Sequence, residues 1–297
     1  MKVLVIALDA QIRDALETQL SIRNRVFESV GLEWFQSAKP DVQRLLFNIP
    51  QGIGVVVNAI SLECLERKAD GGLIEPLRLL AQACERESIP LIQLSNSQVF
   101  DSIDGGRNRE DDPVVPASRI GALLGRIEDL VRGSCKRHII LRSGPLFSSK
   151  GDNLLTVLLK SFQQGETLSL SNVGTCCPVH TSDLARIVSA IIDQLSCGAE
   201  PWGSYHYCSS DPASSYLFAE TVLAVVMQYA KASDHPLQLE ALETIDSRWP
   251  RPLLNCEKIL NTFGIKQLSW RMFVVPTVKK IFQSEEKEQH DEQQLGR

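Results

Sequence analysis

The first residues that could do chemistry lie in the turn after an apolar N-terminal strand. Residues 3–6 predict this strand, and apolar residues at helical spacing predict a helix over 9–20. A turn that brings backbone amides close to a pyrophosphate needs glycines, yet no glycine occurs before Gly31. Asp9 places a negative charge at the N-terminus of the helix, where it would repel a phosphate. The turn therefore has the position of a dinucleotide-binding turn without its usual residues.

Four other residues could be drawn as a metal site, namely His180, His206, Cys176 and Cys177. Their spacing fits no zinc template, and the eight cysteines contain no C-x-x-C pair, so we expect no metal. Scattered cysteines of this kind are typical of buried thiols in a reducing cytoplasm. A redox role for the adjacent pair Cys176-Cys177 stays open as an alternative.

Composition limits the classes of function. The 297 residues are 43% hydrophobic and 23% charged, which suffices for a sizeable core. A net charge of −5 argues against nucleic acid or an anionic membrane surface as a partner. The N-terminus lacks the pattern of a signal peptide, and no apolar run approaches the length of a membrane span. We expect a cytoplasmic protein with a small-molecule or protein partner.

Strands and helices alternate through the first half of the chain. Apolar segments at 54–59, 91–95 and 138–142 predict strands, and amphipathic spacing predicts helices over 74–87 and 117–132. This alternation predicts an α/β fold with a Rossmann-like, doubly wound parallel sheet. After Ser143 the pattern changes to that of a smaller α/β lobe.

Short segments along the chain, taken in order, match the motifs of one enzyme family. They are 55–59 (family VVNAA), 95–101 (STDYVFD), 110–128 (E-x-D-x-P…P…YG-x-x-K-x-x-GE), 142 (LR), 151–153 (G-x-NF), 178–185 (PVHVDDLA), 203–206 (GIYH), 251–255 (RP-x-NS) and 270–271. On these motifs the chain up to about residue 282 resembles the extended short-chain dehydrogenase/reductase superfamily, and most of all its dTDP-4-dehydrorhamnose reductase branch.

The resemblance implies two parts that are discontinuous in sequence. It places a nucleotide-binding domain at 1–145 plus 178–198, and a sugar-nucleotide substrate lobe at 146–177 plus 199–283. Residues 284–297 are charged and Gln-rich without apolar periodicity, which predicts a disordered tail. Extended family members are often dimers, so the resemblance also implies a homodimer.

The family's catalytic residues are replaced in this chain. In these reductases a tyrosine protonates the carbonyl being reduced, a lysine four residues later lowers the pKa of that tyrosine, and a threonine or serine orients the carbonyl. The matching positions hold Ile120, Leu124 and Asn96. No Y-x-x-x-K occurs anywhere in the chain, so a shifted alignment does not restore the pair. We therefore expect no catalytic residue of the family type.

The family's glycine motif, G-x-x-G-x-x-G, falls on Ala7, Ala10 and Arg13. Alanine is a modest steric obstacle to a nucleotide, whereas Arg13 must point away or fill the groove. The resemblance would place NAD(P) against Ala7, Asp9, Ala10, Ile12, Asn58, Ala59 and Ser95. Glu28 is a candidate reader of the ribose, although a solvated charge is the favoured interpretation. We expect no bound cofactor, and NAD(P) binding stays open as an alternative.

The substrate half keeps more of the family's polar residues. The resemblance assigns substrate binding to Asn153, His180, Arg251 and Asn255, and Arg251 could clamp a diphosphate with two hydrogen bonds. The alternative is that these side chains cap helices and satisfy core hydrogen bonds. Arg142, at the end of a strand, is expected to be structural.

The joint loss of the tyrosine, the lysine and all three glycines predicts a non-catalytic member of the family. Such a pseudoenzyme would act as a ligand-binding, regulatory or scaffolding protein. The alternative is an NAD(P)H-dependent sugar-nucleotide reductase or epimerase-type enzyme with an altered active site, which would use Asn96, His180 or Asp183. A third hypothesis is a nicotinamide cofactor that is bound as a structural ligand without turnover.

Overall fold

The computed structural model describes residues 1–7, 10–31, 49–59, 74–100, 106–229, 238–244 and 252–295, with side chains up to residue 283. The strands are β1 (Lys2–Ala7), β2 (Phe27–Val30), β3 (Ile53–Ala59), β4 (Leu91–Asn96), β5 (Arg107–Asn108), β6 (His138–Ser143), β7 (Leu146–Phe147), β8 (Thr167–Ser171), β9 (Val179–His180), β10 (Gly203–Tyr207), β11 (Gln238–Leu242) and β12 (Leu253–Leu254). The helices are α1 (Ala10–Ile22), α2 (Ile74–Arg86), α3 (Arg119–Ser134), α4 (Leu154–Gln164), α5 (Thr181–Ser196), α6 (Ser215–Tyr229), α7 (Glu257–Phe263) and α8 (Arg271–Leu295).

Six strands form one parallel sheet in the order β10-β6-β4-β3-β1-β2. The chain moves from β1 to β2 on one side and then crosses to β3 on the other side of β1. This change of direction opens a crevice above the carboxyl ends of β1 and β3, where ligands bind in sheets of this type. The predicted Rossmann-like, doubly wound parallel sheet is confirmed.

The sheet is buried because its central strands are apolar on both faces. Residues 3–7 of β1 and 55–57 of β3 are fully or almost fully buried. Two helix pairs cover the sheet, α1 packed with α5 and α2 packed with α3. None of the helices that the structure describes has both the length and the apolar character of a membrane span.

A second hydrophobic cluster, built mainly by α4, α6 and α8, is centred on Phe147, Phe218 and Trp270. Two segments that the sequence assigns to the smaller lobe, beyond residue 199, pack with the main sheet and its core. β10 is the edge strand of the main sheet, and the residues of β12 and α7 join the main core. Apolar patterning shows that a strand is buried but does not show which sheet it joins.

The last helix extends into the segment that the sequence predicts to be a disordered tail. The backbone of α8 stays helical to Leu295, across most of the segment that was predicted to be disordered from residue 284. Glu, Gln and Lys dominate this segment. These residues lower apolar content, which predicts disorder, but they are also strong helix formers.

Helix α3 approaches the end of β4 closely because it carries glycine at its contact point. A Cβ atom at Gly121 would lie 2.0 Å from the carbonyl oxygen of Gln98 and 2.8 Å from Pro116. Ser118 caps the helix by accepting a hydrogen bond from the Gly121 amide. The position of α3 on the sheet therefore depends on the missing side chain at residue 121.

The same helix carries a buried carboxylate on its inner face. Glu128 accepts hydrogen bonds from Arg142 on β6 at 2.7–2.9 Å and from the Ser95 hydroxyl on β4 at 2.6 Å. Arg142 also donates to His206 of β10, at 3.1 Å. Glu128 and Arg142 are almost fully buried. This network ties three neighbouring strands to α3, and Arg142 is structural, as the sequence indicated.

The Gly121→Ala substitution should lower the free energy of unfolding by about 3 kcal/mol, because the added methyl group meets backbone that cannot yield. Gly133→Ala, in the same helix with nothing within 4 Å of the added Cβ, is the matched control. It should raise stability by up to about 1 kcal/mol through helix propensity. Urea denaturation followed by circular dichroism measures both, and equal effects would contradict the close approach of α3.

The Glu128→Gln substitution should destabilise the fold by about 3–5 kcal/mol, since it leaves the Arg142 guanidinium buried without a counter-charge. Asp129→Asn is the control, because Asp129 is on the same helix and pairs with Arg132 at an exposed position. That change should cost less than about 1 kcal/mol. The same denaturation experiment distinguishes the two, and a small effect at Glu128 would show that the network is dispensable.

Candidate functional site

The crevice above the sheet is walled by small side chains. Ala7 and Ala59 end β1 and β3, are neighbours in the strand register, and are buried. The side chain of Asn58 is fully buried, and its amide donates to Gln93 at 2.7 Å. The side-chain oxygen Oδ1 of Asn58 has no hydrogen-bond partner among the described residues. Three of the predicted cofactor positions thus lie together, but the Cβ atom of Ala7 occupies the space that the family's first glycine leaves open.

The positions of the family's tyrosine and lysine lie on one face of α3. Ile120 and Leu124 are one helical turn apart, so they project in the same direction. Leu124 is buried in the main core, and the half-buried Ile120 packs against it. Asn96 ends β4, and its side-chain oxygen accepts a hydrogen bond from the Gln98 amide at 2.8 Å. None of the three groups is ionisable.

A loop lies against the first turns of α1. A Cβ atom at Gly151 would lie 2.8 Å from the side-chain oxygen of Gln11, which shows how closely the loop approaches the helix. One turn further along, Lys150 forms an ion pair with Asp14. In dinucleotide-binding folds the pyrophosphate sits at this end of the first helix. Ala10 starts the helix and is exposed.

The side chain of Arg13, at the third glycine position, reaches the end of β2. A Cβ atom at Gly31 would lie 3.4 Å from its guanidinium. Glu28 instead forms an exposed ion pair with Lys2, so its carboxylate is a surface charge. Asp9 lies outside the described residues.

The remaining cofactor candidates serve the core. Ile12 is buried in the main core, and the hydroxyl of Ser95 donates to Glu128. The family resemblance assigned Ser95 to a cofactor. A strand-end serine has no sequence feature that reveals a buried carboxylate as its partner.

The predicted substrate residues that the structure describes bind amides at the starts of helices. Asn153 caps α4, accepting hydrogen bonds from the Leu155 and Thr156 amides and donating to the Lys150 carbonyl. Asn255 accepts from the Glu257 amide at the start of α7, at 2.8 Å. These polar atoms form structural hydrogen bonds, which is the alternative to substrate binding that the sequence left open. Arg251 lies outside the described residues.

His180 caps α5, and both of its ring nitrogens and one ring face contact neighbouring residues. Its Nδ1 atom accepts from the Ser182 amide at 3.2 Å, and its Nε2 atom lies 3.1 Å from the Thr277 hydroxyl. The imidazole stacks on Phe273, with ring centroids 5.1 Å apart. Burial, and then the nearby Lys280, lower the pKa of His180 to about 4. The ring is therefore neutral at pH 7.

His180 also lines a groove that the sequence did not predict. The groove, about 340 Å³ in volume, lies between α1, the 148–150 loop, the start of α5 and α8. Its walls include Gln11, Asp14, Ala15, Thr18, Gln19, Ile22, Ser148, Ser149, Lys150, His180, Ser182, Phe273, Pro276, Thr277 and Lys280. Neither Asn153 nor Asn255 lines it. No local sequence signal marks this groove, because its walls come from segments that are far apart in the chain.

The cysteine pair does not form a reactive site. Burial raises the pKa of the Cys176 thiol well above its ordinary value. A hydrogen bond with Cys208, together with burial, also raises the pKa of the Cys177 thiol. Such thiols are poor nucleophiles at neutral pH. Within the described ranges no cluster of three or more His, Cys, Asp or Glu side chains is arranged to hold a metal.

Solved structures of similar fold cover almost the whole chain. A dTDP-4-dehydrorhamnose reductase from Clostridium acetobutylicum aligns with a TM-score of 0.79 at 20% identity, over 95% of this chain and 99% of its own. The corresponding reductase from Bacillus anthracis, in complex with NADP, aligns with a TM-score of 0.76 at 16% identity, over 94% and 98%. At these identities the likeness shows the fold.

Sequence comparisons identify the family. A dTDP-4-dehydrorhamnose reductase from Sinorhizobium fredii is 27% identical over 198 residues, which are 65% of this chain and 67% of that protein. The reductase of Escherichia coli is 22% identical over 259 residues, 80% of this chain and 85% of that protein. The family model described as RmlD substrate binding domain matches residues 74–283. The chain therefore belongs to the RmlD substrate binding domain family, within the extended short-chain dehydrogenase/reductases.

Proposed function

We propose that this chain is a non-catalytic member of the RmlD family that binds a nucleotide sugar or a related small molecule. It serves as a ligand-binding, regulatory or scaffolding protein in the cytoplasm. The observation that carries the proposal is the pair Ile120 and Leu124, which occupy the family's catalytic positions and pack with the main core. A protein partner and a homodimeric state are part of the same proposal.

Reduction of a carbonyl needs a proton at the oxygen as hydride reaches the carbon. Ile120 and Leu124 have no proton to give, and no Y-x-x-x-K sequence occurs elsewhere in the chain. The carboxamide of Asn96 can orient a carbonyl by hydrogen bonding, but it does not exchange protons at neutral pH. Support for the proposal therefore comes from the absence of the general acid together with that of its activating lysine.

The described residues fit a bound nicotinamide cofactor poorly. Alanine Cβ atoms stand where backbone must approach a pyrophosphate, and the loop at Gly151 lies against the first turn of α1. The third glycine position holds Arg13, whose side chain reaches the end of β2. We therefore expect no cofactor to be retained.

An enzyme with altered chemistry is the second candidate. The names of the relatives favour it, since they are reductases and one solved relative holds NADP. Its acid–base candidates are already engaged, however. Asp183 is buried, accepts a hydrogen bond from Tyr207 at 2.5 Å and pairs with Arg186. His180 is neutral and hydrogen-bonded at both nitrogens. These contacts favour structural roles for both residues.

The purified chain should not oxidise NADH or NADPH in the presence of a dTDP-4-keto-6-deoxysugar. Loss of a general acid alone costs about 10²–10⁴-fold in rate, and the altered glycine motif adds to that loss. A family enzyme assayed in parallel confirms that the substrate is competent. A parallel calorimetric titration with thymidine diphosphate should show saturable binding. Reduction of the sugar with either cofactor would contradict the proposal.

The pH dependence of stability should report the structural role of His180. Its folded pKa of about 4 is below the ordinary value of 6.5, so the unfolded chain binds the proton first as the pH falls. Stability from this residue is complete above pH 6.5 and is lost towards pH 4. After discounting for partial exposure, the loss is about 2 kcal/mol.

The matched variant is His180→Asn, which keeps a cap acceptor without the titration. Denaturation at pH 7 and at pH 4.5 should show a smaller loss of stability in the variant than in the wild type. His206, whose pKa burial lowers to about 3, retains its own contribution in both proteins. Identical losses in the two proteins would mean that His180 titrates normally and is free to act as an acid or base.

A further inference from the structure

Three buried thiols lie together near the end of the edge strand β10. The Sγ atoms of Cys208 and Cys256 are 3.7 Å apart, and the thiol of Cys177 is hydrogen-bonded to that of Cys208. Cys208 directly follows β10, and Cys256 directly precedes α7. The contact between Cys208 and Cys256 therefore joins the edge of the main sheet to a segment that lies 48 residues further along the chain.

The sulfur atoms of Cys208 and Cys256 are close enough to form a covalent bond after a small movement. Bonded sulfur atoms are about 2.05 Å apart, so the pair must close by about 1.7 Å. Both sulfur atoms also lie near one acceptor, the carbonyl oxygen of Leu254, at 3.7 Å for Cys208 and 3.9 Å for Cys256. The two side chains therefore converge on the same point of the backbone.

Polar groups beside Cys208 can stabilise negative charge on its sulfur. The side-chain amide of Gln267 donates to Cys208 Sγ at 3.5 Å, and the Arg107 guanidinium is close enough to attract negative charge there. Arg107 also donates to the Leu254 carbonyl at 3.1 Å, which holds the guanidinium near the thiols. A sulfur that attacks another sulfur carries this charge, so the surroundings suit Cys208 to be the attacking thiol in disulfide formation.

Exposure to solvent distinguishes Cys256 from the other two thiols. Cys256 keeps 6% of its surface exposed, whereas Cys208 keeps 1% and Cys177 keeps 2%. Burial disfavours a thiolate and excludes large reagents. A dissolved oxidant therefore meets Cys256 first, and it must be small and uncharged, as hydrogen peroxide is. A charged tripeptide disulfide such as oxidised glutathione is too large for this position.

We propose that Cys256 and Cys208 are a site of reversible oxidation by hydroperoxides. The Cys256 thiolate attacks peroxide, breaks the O–O bond and becomes a sulfenic acid, with hydroxide as the leaving group. The Cys208 thiolate then attacks the Cys256 sulfur and displaces a second hydroxide as the S–S bond forms. In total, two thiols lose two electrons and two protons, and one hydrogen peroxide becomes two water molecules.

The disulfide would tie the start of α7 to the end of β10. In a reducing compartment such a bond is transient, which is typical of redox-sensing thiols. The inference is independent of the proposed function, because it needs neither the crevice nor a bound nucleotide sugar.

Oxidation of the full chain, followed by peptide mapping, tests the site. The reduced protein is treated with hydrogen peroxide, and the remaining thiols are alkylated under denaturing conditions. Digestion after aromatic residues separates Cys208 from Cys197, because Tyr205 and Tyr207 lie between them. Mass spectrometry should find peptides linked through Cys208 and Cys256, about 2 Da lighter than the two reduced peptides together. Dithiothreitol should restore both thiols.

Two variants and a second oxidant serve as controls. Cys256→Ser should abolish the linked peptides, whereas Cys197→Ser, at an exposed cysteine, should keep them. Oxidised glutathione should modify Cys197 but form the link much more slowly than hydrogen peroxide does. The oxidised wild type should unfold several degrees above the reduced protein, because the new bond closes a long loop, and Cys256→Ser should show no such rise.

The inference is overturned if hydrogen peroxide leaves Cys208 and Cys256 as thiols, or if Cys208 is linked to Cys177 instead. It is also overturned if oxidised glutathione forms the link as fast as hydrogen peroxide does. Equal unfolding temperatures for the reduced and oxidised proteins would contradict the tie between β10 and α7.

Discussion

The docking of α3 on the sheet is the constraint on which the rest of the structure depends. Gly121 lets the helix approach the backbone of Gln98, and this approach turns Ile120, Leu124 and Glu128 towards the sheet. In the family the first two of these positions are those of the catalytic tyrosine and lysine. Here all three positions are structural, since two carry apolar side chains and the third forms the buried ion pair with Arg142. The helix is retained although its catalytic residues are not.

The other polar residues of the candidate site also make structural contacts. Asn153, His180 and Asn255 each precede a helix and satisfy its first amides, which is a task that any protein with this fold must perform. The presence of these three residues is therefore explained without a bound substrate. The crevice has alanine where a nucleotide needs open backbone, and the residues that could have introduced new chemistry, His180 and Asp183, are held by hydrogen bonds. These contacts support the proposal that the frame is kept without the reaction.

Much of the fold could be predicted from the sequence, because apolar strands such as 55–57 and the family motifs mark the doubly wound sheet directly. Motif spacing also predicts residues 120 and 124 as the catalytic positions, and the structure places both on one face of α3. The division into lobes could not, because β10 is assigned only by its pairing with β6. The roles of the polar residues were also hidden, since a cap and a ligand contact use the same side chains. The groove joins segments more than 100 residues apart and has no local signal.

The central claim is that this chain has kept the frame and has lost both halves of the reductase chemistry. The most direct test is a calorimetric titration of the purified protein with NADPH and with NADH, preceded by mass spectrometry to detect any nucleotide that co-purifies. The account predicts no co-purified nucleotide and no binding heat at millimolar cofactor. Micromolar binding of either cofactor would contradict it, because the crevice would then still accept a dinucleotide despite Ala7, Ala10 and Arg13.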